Sequence, residues 1–449
     1  MNQTYTPKFQ EEYSAKIPAL TLLTSLGWTF LSPKQIMDYR GYKQDEVVLR
    51  PVLREELSKR SFMAGGKTCQ LSEKALDNLI SQVCSPALNE GLLKANERMY
   101  NHLLYGIAVT EFVDGKKVNP TIALIDWEHP ENNQFHFTEE FTVLRSGGVE
   151  TRRPDIVCFV NGIPLAVIEA KSPAGHGKKG PTIDEGISQS IRNQLNDEIP
   201  QLFVYSQLLL SINGHDGRYG TCHTPMKFWA AWREEDITDP QMYALRNHPL
   251  STEQIHALFD HRPSVDLKWY QQLIDGGELA VSGQDKLLIS LLSPERLLEM
   301  TRFFTLFDKK TGKIVARYQQ VFGIKRLLER ISTRRPDGGR EGGVIWHTTG
   351  SGKSYTMVFL SKALILHDSL KQCRIVVVTD RVDLEGQLSG TFVSGGELAG
   401  KDDKAKAMAT SGQKLAQQIG SGKERIIFTL IQKFNSATKL PAARGFLRI

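Results

Sequence analysis

Two short apolar runs, residues 156–160 and 163–168, carry the sharpest pattern in the chain, with the dipeptide Asn161-Gly162 between them. Both runs are rich in β-branched residues, and Asn-Gly suits the positive φ angles of a tight turn, so the pattern predicts a β-hairpin. Register decides what that hairpin carries. A strict two-residue turn sets Asp155 opposite Ile168 and leaves Glu169 on the other face, because side chains alternate with period two. One extra residue, as a bulge or a wider turn, puts Asp155, Val157 and Phe159 on the same face as Leu165, Val167, Glu169 and Lys171. Pro164 favours the extra residue, since proline inside a strand is mostly confined to edges and bulges. A bulged hairpin is therefore expected.

Residues 9–62 read as helical and polar, with Leu26-Gly27-Trp28 ending a helix. Residues 72–82 and 88–104 read as amphipathic helices covering a sheet, the first capped by Ser72. Short strands are expected over 106–112, 121–126 and 134–143, with loops at Asp114-Gly115 and residues 130–133. After the hairpin come a Gly- and Lys-rich loop (174–181), a helix (184–196) bearing Gln189, and strands over 202–212 and 226–232. Helices dominate 251–307, Pro294 opening one of them, and a turn over 308–313 closes the region. A short apolar strand within 342–346 then runs into a Gly-containing loop and a helix over 355–366, and apolar strands follow at 374–379 and 426–430. Strands alternating with helices imply a parallel α/β arrangement. The expected division is a domain over 1–250, a helical linker over 251–312 and a nucleotide-binding domain over 313–449.

Composition narrows the class without naming a function. With 449 residues, 40% hydrophobic and 24% charged, the chain has the make-up of a soluble globular protein of two or three domains. No apolar run approaches the roughly 18 residues of a membrane span, and residues 1–14 lack the apolar core of a signal peptide. Five scattered cysteines without C-x-x-C spacing point to neither zinc nor a disulfide framework, so a reducing cytoplasm is the expected setting. The net charge of +6 is local: residues 401–449 hold ten Lys/Arg against three Asp/Glu, leaving 46 against 47 before them. That tail can meet nucleic-acid phosphates or merely solvent.

The chemistry suggested by the hairpin follows from its acids. Mg²⁺ prefers oxygen ligands and keeps several waters, so Asp155 and Glu169 on neighbouring strands can hold it against a phosphate. Lys171 can then orient or help deprotonate a water on that ion for phosphodiester hydrolysis. The competing reading is an ordinary hairpin whose polar ends meet solvent. The apolar run 165–168 weighs against it, because acids emerging from a buried strand need a compensating charge or metal. Pro154-Asp155 and Glu169-Ala170-Lys171 resemble the PD-(D/E)xK nuclease motif at every position. The resemblance implies a mixed sheet flanked by helices, and a metal that also touches the carbonyl of Ala170.

A second site is expected where Thr349, Gly350, Ser351 and Gly352 precede Lys353-Ser354. In a phosphate-binding loop the backbone N–H groups and the helix N-terminus face the anion, Lys353 reaches the β/γ phosphates of ATP, and Ser354 holds Mg²⁺. His347 stands where the full pattern asks for glycine, and a Gly-rich turn before a helix is the plainer alternative. Upstream, Arg317-Tyr318-Gln319-Gln320 opens a helix, and an aromatic with an amide can stack on adenine and read its edge; alone, such a segment is equally helix surface.

Taken together, the chain resembles the restriction (R, motor) subunit of type I restriction-modification enzymes. The resemblance covers nearly its whole length. It rests on Leu26-Gly27-Trp28, Asn96 with residues 103–106, Asn132-Asn133-Gln134-Phe135, the nuclease hairpin, Gly220-Thr221, Lys227-Phe228-Trp229, Trp232-Arg233-Glu234, Arg317 to Gln320, and residues 346–354 and 379–387. It implies an ATP-dependent, site-specific deoxyribonuclease: Mg²⁺-dependent cleavage of double-stranded DNA, coupled in the full-length protein to translocation. Its partners would be modification and specificity subunits, with no membrane. It further implies a helical spacer, then an incomplete RecA-like lobe in which Arg317, Tyr318 and Gln320 form the adenine-reading motif and residues 380–387 contact DNA backbone. Two departures stand out. The family's nuclease often carries Q-x-x-x-Y, whereas Gln189 is followed four residues later by Asn193. No D-E-A-H-type box precedes Ile449, so the chain reads as a fragment that binds nucleotide but hardly hydrolyses it. Two other classes stay open: a non-cutting docking module, and an anti-viral helicase-nuclease unrelated to methylation.

Overall fold

The computed structural model describes residues 10–173, 183–308, 311–348, 350–370, 372–380 and 406–440, together with 382, 385, 386, 389, 390 and 392. The chain divides into two compact units, Met1–Arg302 and Phe303–Ile449.

The first unit is built on a mixed six-stranded sheet whose spatial order follows the chain. Its strands are β1 (Thr29–Phe30), β2 (Phe135–Glu139), β3 (Ile156–Val160), β4 (Ile163–Ala170), β5 (Leu208–Ile212) and β6 (Gly217–Gly220). β1 is parallel to β2 and β4 to β5, while the β2–β3, β3–β4 and β5–β6 pairs are antiparallel. Every residue of β3, β4 and β5 is buried. Such strands are covered on both faces, which is why their sequences read as continuous apolar runs instead of alternating.

Helix α1 (Ile17–Ser25), entered through a π-helical turn at Glu12–Lys16, is lined with buried Ala19, Leu20, Leu22 and Leu23. It is a core helix, not the polar one expected. It stops as expected: Gly27 takes φ +94°, and the N–H of Trp28 turns back to Leu23 O. Helix α2 (Arg50–Ser58) packs at the hairpin turn, and α3 (Leu92–Tyr105) places Asn96, whose Nδ2 donates to the carbonyls of Phe203, Val204 and Ser206. Helix α4 (Ile183–Asn193) lies across β4 and β5. Its Gly186 permits that approach, since a Cβ there would sit 2.3 Å from Ser211 Oγ.

The structure departs from the sequence reading in several places. The helices of 251–302 are not a separate spacer: Trp28 Nε1 donates to Leu292 O (2.7 Å), Gln284 Nε2 to Ala15 O (2.9 Å) and Tyr13 Oη to Asp266 Oδ1 (2.8 Å), so they are part of the first unit. Residues 202–212 are not one strand, because Pro200 starts a helical turn, Pro200–Phe203, and β5 begins only at Leu208. The strand expected over 226–232 is a 3₁₀ turn at Met226–Phe228, with a single bridge from Ala230 to Tyr219. There Trp229 folds its ring over Gly220, where a Cβ would meet it at 3.0 Å.

In the second unit, strands β7 (Thr305–Asp308) and β8 (Gly312–Val315) form a hairpin where helix was expected for 305–307. Helix α5 (Tyr318–Ser332) and helix α6 (Lys353–Leu366) follow. β9 (Ile375–Thr379) and β10 (Ile426–Leu430) pair in parallel, with α7 (Gly412–Ser421) between them in sequence. Leu415, Ala416, Ile419 and Ile427 supply the core of this pair. The strand expected within 342–346 does not form: Val344 is 95% and Trp346 88% exposed. Among the described residues, no helix is long and apolar enough to cross a membrane.

Candidate active site

The hairpin carries the predicted bulge. Ile156, Val157 and Cys158 face Ile168, Val167 and Ala166, after which the register slips so that Phe159 faces Pro164 and Val160 faces Ile163. Leu165 is the extra residue. It lies beside the proline, which has no N–H to give to the ladder. The turn uses both of its predicted residues at positive φ, Asn161 at +52° and Gly162 at +80°. Asn161 is wholly buried: its Nδ2 donates to Leu124 O and Asn133 Oδ1, and its Oδ1 accepts from Gln134 N. The Asn-Asn-Gln-Phe stretch at 132–135 thus braces this turn.

Carried one residue further, the slipped register sets Asp155 across from Glu169. Asp155 Oδ2 accepts from Ala170 N at 2.8 Å and lies 3.3 Å from Lys171 Nζ, which also donates to Ala170 O at 2.7 Å. On the other side Gln189 Nε2 donates to Glu169 Oε2 at 2.7 Å, and Asn193 Nδ2 approaches Glu169 Oε1 at 3.4 Å. The structure therefore brings together Asp155, Glu169, Ala170, Lys171 and Gln189.

Glu169 is 0% exposed and has no ion pair within 4 Å among the described residues. Burial pushes its carboxyl well above the ordinary range and the neighbouring Asp155 pushes it further, with Lys171 pulling the other way. Burial alone would lower the Lys171 ammonium, but Asp155, Glu169 and Glu11 outweigh that and raise it. Glu11 was not foreseen. Its own carboxyl is raised by burial, with Lys171 and Asp155 acting on it in opposite directions, so it lies within electrostatic reach of the site. No short-range pattern ties residue 11 to residue 155.

Behind the site, Glu140 N donates to Asp155 O at 2.9 Å, anchoring the strand end. A charged network holds that anchor. Lys16 pairs with Glu12, Glu139 and Glu140, and Arg262 with Glu12, Glu139 and Asp266. Among the described residues no group of three or more His, Cys, Asp or Glu is gathered as a ready-made metal cage. A cation at this site would rest on two carboxylates, the Ala170 carbonyl and water, the mode Mg²⁺ favours.

The second unit places its loop differently. Gly350 and Gly352 take φ +81° and +88°, Ser351 Oγ donates to Thr348 O at 2.7 Å, and Lys353 and Ser354 begin α6. Thr349 lies outside the described residues, as does most of 381–387. Gln320 is turned toward this loop: its Nε2 donates to Gly352 O (3.3 Å) and Thr356 Oγ1 (3.2 Å), while its Oε1 accepts from Arg317 N (2.9 Å). Its amide is thus engaged in bracing the loop, with Arg317 as the N-cap and Tyr318 as the first residue of α5. Thr311 Oγ1 meets Tyr355 Oη at 3.2 Å and Lys362 Nζ donates to Thr305 O, so the β7–β8 hairpin steadies α6.

Two families match the chain. Residues 8–228 match the type I restriction enzyme R protein N terminus, and residues 319–445 match the SWI2/SNF2 ATPase. The type I restriction enzyme HindI endonuclease subunit of Haemophilus influenzae is 32% identical over 431 residues, covering 93% of this chain and 36% of that protein. The type I restriction enzyme SsaAORF53P endonuclease subunit of Staphylococcus saprophyticus is 24% identical over 317 residues, covering 70% of this chain and 28% of that protein. The chain thus spans about a third of the length of the curated relatives it matches.

Proposed function

The chain belongs to the family of type I restriction enzyme R proteins, and on that premise we propose that its first unit is a PD-(D/E)xK-type endonuclease that cuts double-stranded DNA. The observation that carries this reading is the bulged register, which sets Asp155 across from Glu169 beside Lys171 and leaves a buried carboxyl, that of Glu169, without an ion pair among the described residues. A divalent cation suits that deficit. Asp155, Glu169 and the Ala170 carbonyl would hold Mg²⁺, whose bound charge activates water and neutralises the scissile phosphate.

The chain's own residues do the rest. Gln189 fixes Glu169 by its 2.7 Å bond, and Ala170 N fixes Asp155. Lys171 presents a charged ammonium beside the same acids, able to orient a water or meet a phosphate oxygen. That ammonium rests on Asp155 Oδ2 and Ala170 O, both candidate ligand atoms, so it lies against the oxygens that would hold the ion.

For the second unit we infer an ATP-binding, RecA-like lobe. Lys353 and Ser354 at the N-terminus of α6 would hold the phosphates and Mg²⁺, with Gly350, Ser351 and Gly352 supplying the loop. In the whole protein, ATP hydrolysis would drive movement along DNA, in complex with modification and specificity subunits in the cytoplasm. The first-unit reading is tested with Asp155→Ala. Mg²⁺-dependent cleavage of plasmid DNA should fall on the order of 10³-fold while the melting temperature stays within a few degrees. Undiminished cleavage by that variant would remove Asp155 from the site.

A further inference from the structure

Helix α4 presents one polar face to Glu169. Gln189 and Asn193 stand four residues apart, so they lie one above the other on that face. Gly186, one turn before Gln189, brings the helix so close that a Cβ at 186 would lie 3.4 Å from Glu169 Cβ. Asn193 is 1% exposed. Its Nδ2 is directed at Glu169 Oε1, and its Oδ1 has no partner among the described residues. A buried amide that leaves one end unsatisfied is destabilising, and leucine would fill the same space without that cost. What an asparagine supplies that leucine does not is a donor to the second oxygen of Glu169.

We propose that Asn193 is a positioning residue for the cation site, completing a two-point clamp in which Gln189 holds Glu169 Oε2 and Asn193 holds Oε1. With both oxygens held, the carboxylate plane cannot rotate, and its remaining lone pairs keep fixed directions beside Asp155. The 3.4 Å separation is long for a direct bond, as hydrogen bonds of reactive sites often are before a ligand draws the groups together. The inference rests on reading Asp155 and Glu169 as cation ligands.

The test is Mn²⁺ binding to the full chain, measured by calorimetry without nucleotide or DNA, for wild type, Asn193→Ala, Asn193→Leu and Asp155→Ala. Asn193→Leu fills the same space, loses the donor and adds no charge, so it reports on the clamp even if the alanine variant folds poorly. Groups that orient metal ligands typically govern affinity by about 10- to 100-fold. Both Asn193 variants should therefore bind Mn²⁺ at least about tenfold more weakly, and saturating Mn²⁺ should restore most of their cleavage. Unchanged or tighter Mn²⁺ binding in Asn193→Leu, with binding abolished in Asp155→Ala, would overturn the clamp alone. Unchanged binding in Asp155→Ala would overturn the cation site itself.

Discussion

Asp155 and Glu169 are 8% and 0% exposed and rise from strands buried along their length, whereas Val344 and Trp346, on the approach to the glycine loop, are 95% and 88% exposed. Both regions carry a short motif that the sequence reading assigns to phosphate chemistry, yet they are organised by different means. In the first unit the sheet does the placing: a one-residue slip, a turn held by Asn161 and a helix brought close by Gly186 deliver the polar groups to fixed positions. In the second the motif itself does the placing, through two glycines at positive φ and a helix N-terminus, and Gln320 supplies the tertiary brace. A site assembled by a sheet is preorganised at the cost of burying charge. A site formed by a loop avoids that cost and relies on its anion to complete it.

That contrast can be broken most forcefully at the turn. Gly162→Ala puts a Cβ 2.5 Å from Leu49 O at a φ of +80°, so the first unit should lose about 3 kcal/mol. Its melting temperature should drop, and Mn²⁺ binding should go with it, while nucleotide binding by the second unit is retained. Equal damage to both functions would mean that the hairpin turn does not act on the first unit alone.

A smaller effect sharpens the cost of burial. Because the folded protein holds the proton of Glu169 more tightly than the unfolded chain does, the stability tied to that proton is present below the ordinary carboxyl value near 4.5. It is lost as pH rises through the raised folded value. Glu169→Gln never ionises. In metal-free buffer it should be more stable than wild type at about pH 8, by on the order of 1 kcal/mol or more, and the gap should close near about pH 4. Urea unfolding across that range measures it, and a gap independent of pH would mean that Glu169 is not strained by its burial.

The smallest effect belongs to the loop. Gln320→Ala removes two bonds near Gly352 and should weaken nucleotide binding by about 1 kcal/mol, roughly fivefold. If Gln320 braces the loop, ATP and GTP should weaken alike in a fluorescence titration. Selective loss of ATP would instead assign its amide to adenine.

Local pattern carried much of this molecule. Two apolar runs and Asn-Gly disclosed the hairpin, Pro164 disclosed its bulge, and Ser72 disclosed a helix start that the structure reproduces at Glu73–Cys84. Each of these is set by neighbours in sequence, through steric limits on φ or a cap on orphan N–H groups. Pattern misled where long-range packing chose the outcome. Residues 226–232 turn because Trp229 must cover Gly220, and the helices of 251–302 join the first unit because Trp28 and Tyr13 reach them.

By itself, then, the amino-acid order determined the chemistry on offer: two acids, an amine and a glycine loop, each at a spacing that backbone sterics and side-chain alternation make meaningful. Tertiary structure decided which of those groups meet. Asn193 touching Glu169, Glu11 acting on Lys171 and Gln320 bonding to Gly352 depend on elements distant in sequence being driven together by burial, a force that is non-directional and leaves no local signature.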